Sequence, residues 1–420
     1  MSRRVILGHL SVLPLLALSV PVMAQPMPET VDLQTVLTLA RTSSPRVEAE
    51  EQDIAGAQAD RQIVNVLPNP EVSYAGSYQP GGITNFEGRR AHEATVELPL
   101  DLGGKRRARV AAADRRIDAA RSRVAVSRLD FMTEAGSAFV ALLSAQDTVG
   151  VRRDAMAELD RLRGMVAGRR ASGMASDYDV ARVDVEIESA RADLVEAESA
   201  AIDARTDLAN ALGFPGWHPS ASGSLDQVPG TGGSPAQSAE ALPAVAAALD
   251  EQNAVKADVV TARRERFPEV SVNGGRFWTT GPFGATYSAG LTLEVPLFDR
   301  RNGAVRKAEA EARAAELRTE IAKAKALAEI DRYAALVEVR TAALDTFNRR
   351  IGGKLDALGR MAEDSYRLSG GSVIELIDAT RSRFDNLATQ VSLSARLADA
   401  RLRLRLSRED GSDDTALTAR

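Results

Sequence analysis

Two spacings of apolar positions run along the chain, and each is used twice. From Val31 to about Asn65 the pattern is helical, and Pro68 and Pro70 stop it, because proline cannot continue a helix and drives its predecessor toward extended geometry. Residues 71–78 then alternate, with Val72, Tyr74 and Tyr78 on one face and Glu71, Ser73 and Ser77 on the other. After loop chemistry across 79–90, alternation resumes with Ala94, Val96 and Leu98 against Glu93, Thr95 and Glu97, and Pro99 is expected to close that strand. A second pair of alternating runs starts at Val270 and at Tyr287, and Pro296 follows it.

The two sets of strands belong to a duplication. Pro70-Glu71-Val72-Ser73 returns as Pro268-Glu269-Val270-Ser271, 198 positions later. Val96-Glu97-Leu98-Pro99-Leu100 returns as Leu293-Glu294-Val295-Pro296-Leu297, and Ser172-Gly173 as Ser369-Gly370, both at 197. A repeated supersecondary unit implies two similar halves building one wall. The expected organisation is a secretory signal over 1–24, a first repeat over 25–212, a Gly/Pro/Ser-rich linker over 213–235, a second repeat over 236–408 and a polar tail over 409–420. The linker is expected to lie outside the helical wall.

Helical periodicity runs unbroken from Gly104 to about Val166 and from Gly303 to about Met361. At 1.5 Å per residue the first run is about 90 Å long, which demands coiled-coil support. The following helix supplies it: Val180, Val183, Ile187, Ala190, Leu194, Ala197, Ala201, Ala204, Leu208 and Ala211 are spaced 3,4,3,4. Ile377, Thr380, Phe384, Leu387 and Val391 repeat the seam. Each returning helix is too short to cover its partner, and the helix preceding the strands can complete it by stacking end to end.

Composition narrows the class. Hydrophobic residues make up 44% but aromatics only 4%, which suits close helix packing through Ala more than a thick globular core. A net charge of −5 argues against nucleic acid as a partner. Arg3 and Arg4, an apolar stretch to about Val20 and Val22-Met23-Ala24 read as a signal peptide cut after Ala24. No later window reaches the roughly 20 apolar residues of a spanning helix, so any membrane crossing must use strands. Four strands cannot close a barrel, and an open edge in lipid is prohibitive, so strands that enter a membrane require oligomerisation. There is no cysteine, hence no disulfide, no thiolate chemistry and no lipidated Cys after the cut.

These features resemble the TolC-type outer-membrane efflux family over about residues 30–408. The segments Leu67-Pro68-Asn69-Pro70-Glu71 and Leu98-Pro99-Leu100-Asp101-Leu102-Gly103-Gly104-Lys105-Arg106 look most like its heavy-metal branch, the CzcC-like and CusC-like components. The resemblance implies a mainly α protein with transmembrane β-strands: a homotrimer forming a 12-stranded outer-membrane β-barrel, with Pro70, Pro99, Pro268 and Pro296 at helix–strand junctions, continued by a coiled-coil helical barrel across the periplasm. It implies a passive exit duct, not an enzyme, that takes cargo from an inner-membrane RND-type pump through a periplasmic adaptor protein.

By the same resemblance the adaptor docks at the turns carrying Arg169, Ser172, Gly173, Arg367, Ser369 and Gly370. A plain helix C-cap accounts for these glycines equally well. Val373-Ile374-Glu375-Leu376-Ile377-Asp378-Ala379 matches the family's periplasmic gate motif, with Ile374, Glu375 and Asp378 as gate residues. Glu375 and Asp378 share a helix face with Ser382 and Asp385, and an ordinary solvated face is the competing reading. His9, His92 and His218 form no pair at ligand spacing, and no nucleotide-binding, nucleophile-elbow or zinc-protease motif occurs. No cofactor or metal site is expected. The alternatives are an outer-membrane factor for drug efflux or type I protein secretion, and a soluble periplasmic coiled-coil scaffold.

Overall fold

The computed structural model describes residues 27–79, 89–229, 238–279, 284–368 and 371–409. The expected signal segment, Ser369, Gly370, part of the linker and all but the first residue of the tail lie outside the described residues.

The chain enters through β1 (Thr30–Val31) and α1 (Leu33–Thr42), where Asp32 Oδ1 accepts from the Thr35 amide at 2.9 Å and caps the helix. The single helix expected to Asn65 is broken at Ser43-Ser44. Ser44 caps α2 (Pro45–Val64), and its hydroxyl also donates to the Leu212 carbonyl at 2.9 Å. That bond seats the foot of α2 on the top of α4 (Asp177–Leu212), where Gly213 turns the chain at φ 78°. The two helices stack end to end, as the lengths require.

Four strands form one antiparallel sheet: β2 (Glu71–Gln79), β3 (Arg89–Leu100), β5 (Glu269–Thr279) and β6 (Ala285–Glu294), in that spatial order. β2 and β6 are its free edges. Pro99 does not end β3; it pairs with Ser271, and the strand runs on to Leu100 opposite Val270. One face is apolar and exposed, including Val72, Tyr74, Val96, Val272, Leu291 and Leu293. His92 lies within β3 on this face. Its ring clusters with those of Tyr74 and Trp278, at centroid distances of 6.1 and 5.3 Å, and is hydrogen-bonded at 2.7 Å to the Tyr74 hydroxyl.

Below the sheet, α3 (Lys105–Ala171) is a single helix of 67 residues, about 100 Å long. It is the spine of the wall: α2 and α4 pack along one side, α5 (Pro243–Arg264) and α8 (Val373–Ser407) along the other, and α6 (Asn302–Phe347) lies beyond those two. The second long helix is not continuous. Asn348–Gly352 forms a π-helical turn, after which α7 (Gly353–Arg367) runs to the end of the wall. The cause is local: Gly352-Gly353 tolerates the wider turn, and Gln390 of α8 donates to the Asn348 side chain at 3.0 Å.

The main core sits at mid-height, where Phe139 and Leu142 of α3 meet Leu208 and Leu212 of α4 and Leu402 and Leu406 of α8. Contact here is close enough that a Cβ on Gly136 would lie 2.6 Å from Leu402. The linker is not outside the wall. β4 (Ser220–Ala221) pairs in parallel with β1, and Leu225 and Val228 are buried in the same core. Burial of those two apolar side chains is what holds a Gly/Pro-rich segment down.

Candidate functional site

At the end remote from the sheet two helix reversals lie side by side. The α3–α4 turn is a Schellman cap: Met174 donates to the Arg169 carbonyl at 2.8 Å and Gly173 to that of Arg170 at 2.9 Å, with Gly173 at φ 71°. Ser172 is the C-cap residue. Ser176 and Asp179 then close a capping box on α4. α8 opens on the same kind of capping box, formed by Ser372 and Glu375. The Glu375 carboxylate accepts from the Ser372 amide at 3.3 Å, so this residue has a structural role.

The turns are tied to each other. Arg169 donates to the Arg367 carbonyl at 3.0 Å, and its guanidinium lies 4.8 Å from the centroid of the Tyr366 ring. Tyr366 is buried against α3, and that burial pushes its phenol up from the usual range. About two turns further in along α3, Arg161 donates to Glu158 at 2.8 Å and to both carboxylate oxygens of Glu363 at 2.7 and 3.0 Å. Arg367 meets Glu363 from the other side at 2.7 Å. The Arg161 guanidinium holds Glu158 and Glu363 below the ordinary carboxylate range, chiefly through these hydrogen bonds. Higher up, Arg152 joins three helices by reaching Asp385 of α8 at 2.8 Å and Asp193 of α4 at 3.8 Å.

Val373, Leu376 and Ile377 of α8 are buried with Leu162, Val166 and Val183. Ile374, Glu375 and Asp378 therefore point away from that core and are exposed. Among the described residues the Asp378 carboxylate makes no hydrogen bond or ion pair. Asp385, placed by sequence on the same polar stripe, is engaged by Arg152. Sequence reasoning missed the pairing of Arg161 with Glu363 and of Arg169 with Tyr366. The partners lie about 200 residues apart, and no local pattern marks them.

Among the described residues no group of three or more His, Cys, Asp or Glu side chains is placed to hold a metal ion. None of their helices is long and apolar enough to cross a membrane.

A sheet with an apolar outer face, continued by helices that pack only edge to edge, makes a strip of channel wall. The chain belongs to the outer membrane efflux protein family, whose model matches residues 36–214 and 235–407. Among its relatives, the cobalt-zinc-cadmium resistance protein CzcC of Cupriavidus metallidurans is 28% identical over 68% of this chain and 67% of its own length. The nickel and cobalt resistance protein CnrC of the same organism is 28% identical, over 78% of this chain and 76% of its own. In solved structures the fold is shared by CusC (TM-score 0.77, 17% identity, 91% of this chain and 93% of that one). The outer-membrane channel OprN shares it too (TM-score 0.73, 21% identity, 90% of each chain).

Proposed function

We propose that three copies of this chain, exported by cleavage of residues 1–24, close into a duct that conducts heavy-metal cations from a periplasmic adaptor and an inner-membrane RND-type pump to the exterior. One observation carries the reading. The sheet ends in two unpaired edges, β2 and β6, with an apolar face exposed between them. In lipid those backbone groups must be paired, and a second copy supplies the missing strand without any new fold. Three copies bring the strand count to about 12, within the range of membrane barrels.

In this duct Ile374, Glu375 and Asp378 line the periplasmic constriction. Threefold symmetry turns the two carboxylates into a ring that favours cations. Arg169, Ser172, Gly173, Arg367, Ser369 and Gly370 form the rim on which the adaptor's tips dock. Pro70 and Pro268 mark where helices give way to strands and Pro296 where β6 gives way to the following helix, while Pro99 lies inside β3. The chain supplies no chemistry of its own; selection and energy belong to the pump. Similarity to CzcC and CnrC supports metal cations as cargo.

The test is a deletion strain profiled against cobalt, zinc, cadmium, nickel, copper and a drug panel, complemented with wild type or with Glu375→Ala/Asp378→Ala. Metal sensitivity restored by wild type supports the proposal. Sensitivity confined to drugs would overturn the cargo. Unchanged conductance and cation preference of the double variant in planar bilayers would remove both carboxylates from the gate.

A further inference from the structure

The exposed face of the sheet is not apolar throughout. Along β3 it carries Leu100, Leu98, Val96, Ala94, His92 and Arg90 in turn, from apolar side chains at the helical end to a cation at the hairpin end. Leu100 to Arg90 is about 34 Å along the strand, or about 25 Å of membrane normal at a tilt of about 40°, the height of the apolar band of an outer-membrane barrel. The helices continue from the opposite end of the sheet, so Arg90 stands at the level of the outer leaflet.

Tyr78 lies opposite Arg90. In the second hairpin Arg276 lies opposite Tyr287, and the repeat offsets of 198 and 197 put that pair at the register position of Tyr78 and Arg90. Both halves therefore set an arginine across from a tyrosine at one level, with the strands that carry them exchanged. Simple retention after duplication would keep each residue type on its own strand. Here the combination is kept and the order is not.

Tyr78 is 63% exposed and Tyr287 75%, so neither ring fills a core. The Arg276 guanidinium lies 5.4 Å from the centroid of Trp278 and 5.8 Å from that of Tyr287. Among the described residues it makes no hydrogen bond or ion pair. The carboxylates of the four strands, Glu71, Glu93, Glu97, Glu269 and Glu294, all alternate onto the other face and cannot serve it. An arginine turned toward lipid is destabilising unless it finds an anion or the interface. Its planar fork matches a phosphate group.

We propose that Arg90 and Arg276 each bind a phosphate group of lipid A, the phosphorylated saccharolipid of the outer leaflet, with Tyr78, Trp278 and Tyr287 as the aromatic surface under the headgroup. The inference rests on the membrane-embedded sheet proposed above and is independent of the cargo. An anionic phospholipid carries similar phosphate chemistry but belongs to the leaflet at the helical end of the sheet.

The test uses the full chain, extracted from outer membranes as the assembled oligomer and delipidated in detergent. It is titrated with bisphosphorylated lipid A, dephosphorylated lipid A or phosphatidylglycerol, and bound lipid is counted by native mass spectrometry. Wild type should hold bisphosphorylated lipid A about tenfold more tightly than either of the others, the worth of a charge-assisted hydrogen bond. Arg90→Gln and Arg276→Gln should each weaken that binding by a similar factor, and Arg276→Lys should keep part of it. Arg191→Gln, on α4 outside the sheet, should leave it unchanged. Unchanged binding by Arg90→Gln/Arg276→Gln would overturn the site. Equal affinity of wild type for phosphatidylglycerol would overturn the choice of lipid, and this comparison needs no variant to fold. A wild-type chain that stays monomeric and never enters the membrane would instead overturn the embedded sheet itself.

Discussion

The two long helices descend from one pattern and end in different surroundings. α3 runs as a single helix through the middle of the strip and buries Ile117, Val124, Phe139, Leu142, Leu159 and Leu162 along its length. Its counterpart occupies the strip's edge, leaves Leu317, Ile321 and Val339 exposed, and changes to a π turn at Asn348–Gly352. A helix with neighbours on both sides is specified by this chain alone. One at an edge has neighbours within this chain on one side only, and a π turn is accommodated there. α7, below that joint, packs on α8 and is held to α3 by few side chains, foremost Glu363 to Arg161.

Breaking the middle should cost most. Leu142→Ala is expected to destabilise the chain by about 2–5 kcal/mol, because it opens a cavity in the main core. Leu317→Ala should change the stability of the unassembled chain by less than about 0.5 kcal/mol while lowering trimer yield. Urea unfolding with and without assembly separates the two, and equal losses in the unassembled chain would erase the distinction between middle and edge.

Glu363→Gln should weaken the tie between α3 and α7 and raise single-channel conductance. Glu363→Asp should restore part of the wild-type behaviour. Acid should act on the same tie. Both Glu158 and Glu363 have lowered pKa values when folded, so their contribution is present above the ordinary carboxylate pKa of about 4.3 and is lost as pH falls through the lowered values. Conductance is therefore expected to be flat near neutrality and to rise in acid below about pH 4. A rise that survives in Arg161→Ala would assign it to other groups.

Much of this architecture is legible in the sequence because it is periodic. Alternation marks the four strands, the 3,4 spacing from Val180 to Ala211 marks the α4 seam, and the offset of about 197 ties the halves together. What escaped depends on contacts that periodicity does not encode. The break at Ser44 exists because its hydroxyl reaches Leu212, the linker is drawn in by Leu225 and Val228, and the π turn leans on Gln390. Pro99 stays in its strand because its partner Ser271 comes from the other half. At the turns, the motif around Glu375 is found through its likeness to the family's gate motif; its capping bond to Ser372 is local, whereas the Arg161–Glu363 tie beside it required the two hairpins to be seen together.

A closed barrel requires each sheet to find its missing edges in sister chains within lipid. A single-particle reconstruction of the full chain in lipid nanodiscs tests this most directly. The expected result is three chains around one barrel, with β6 of each hydrogen-bonded to β2 of the next. A lone chain whose β2 and β6 are covered by its own helices would contradict it.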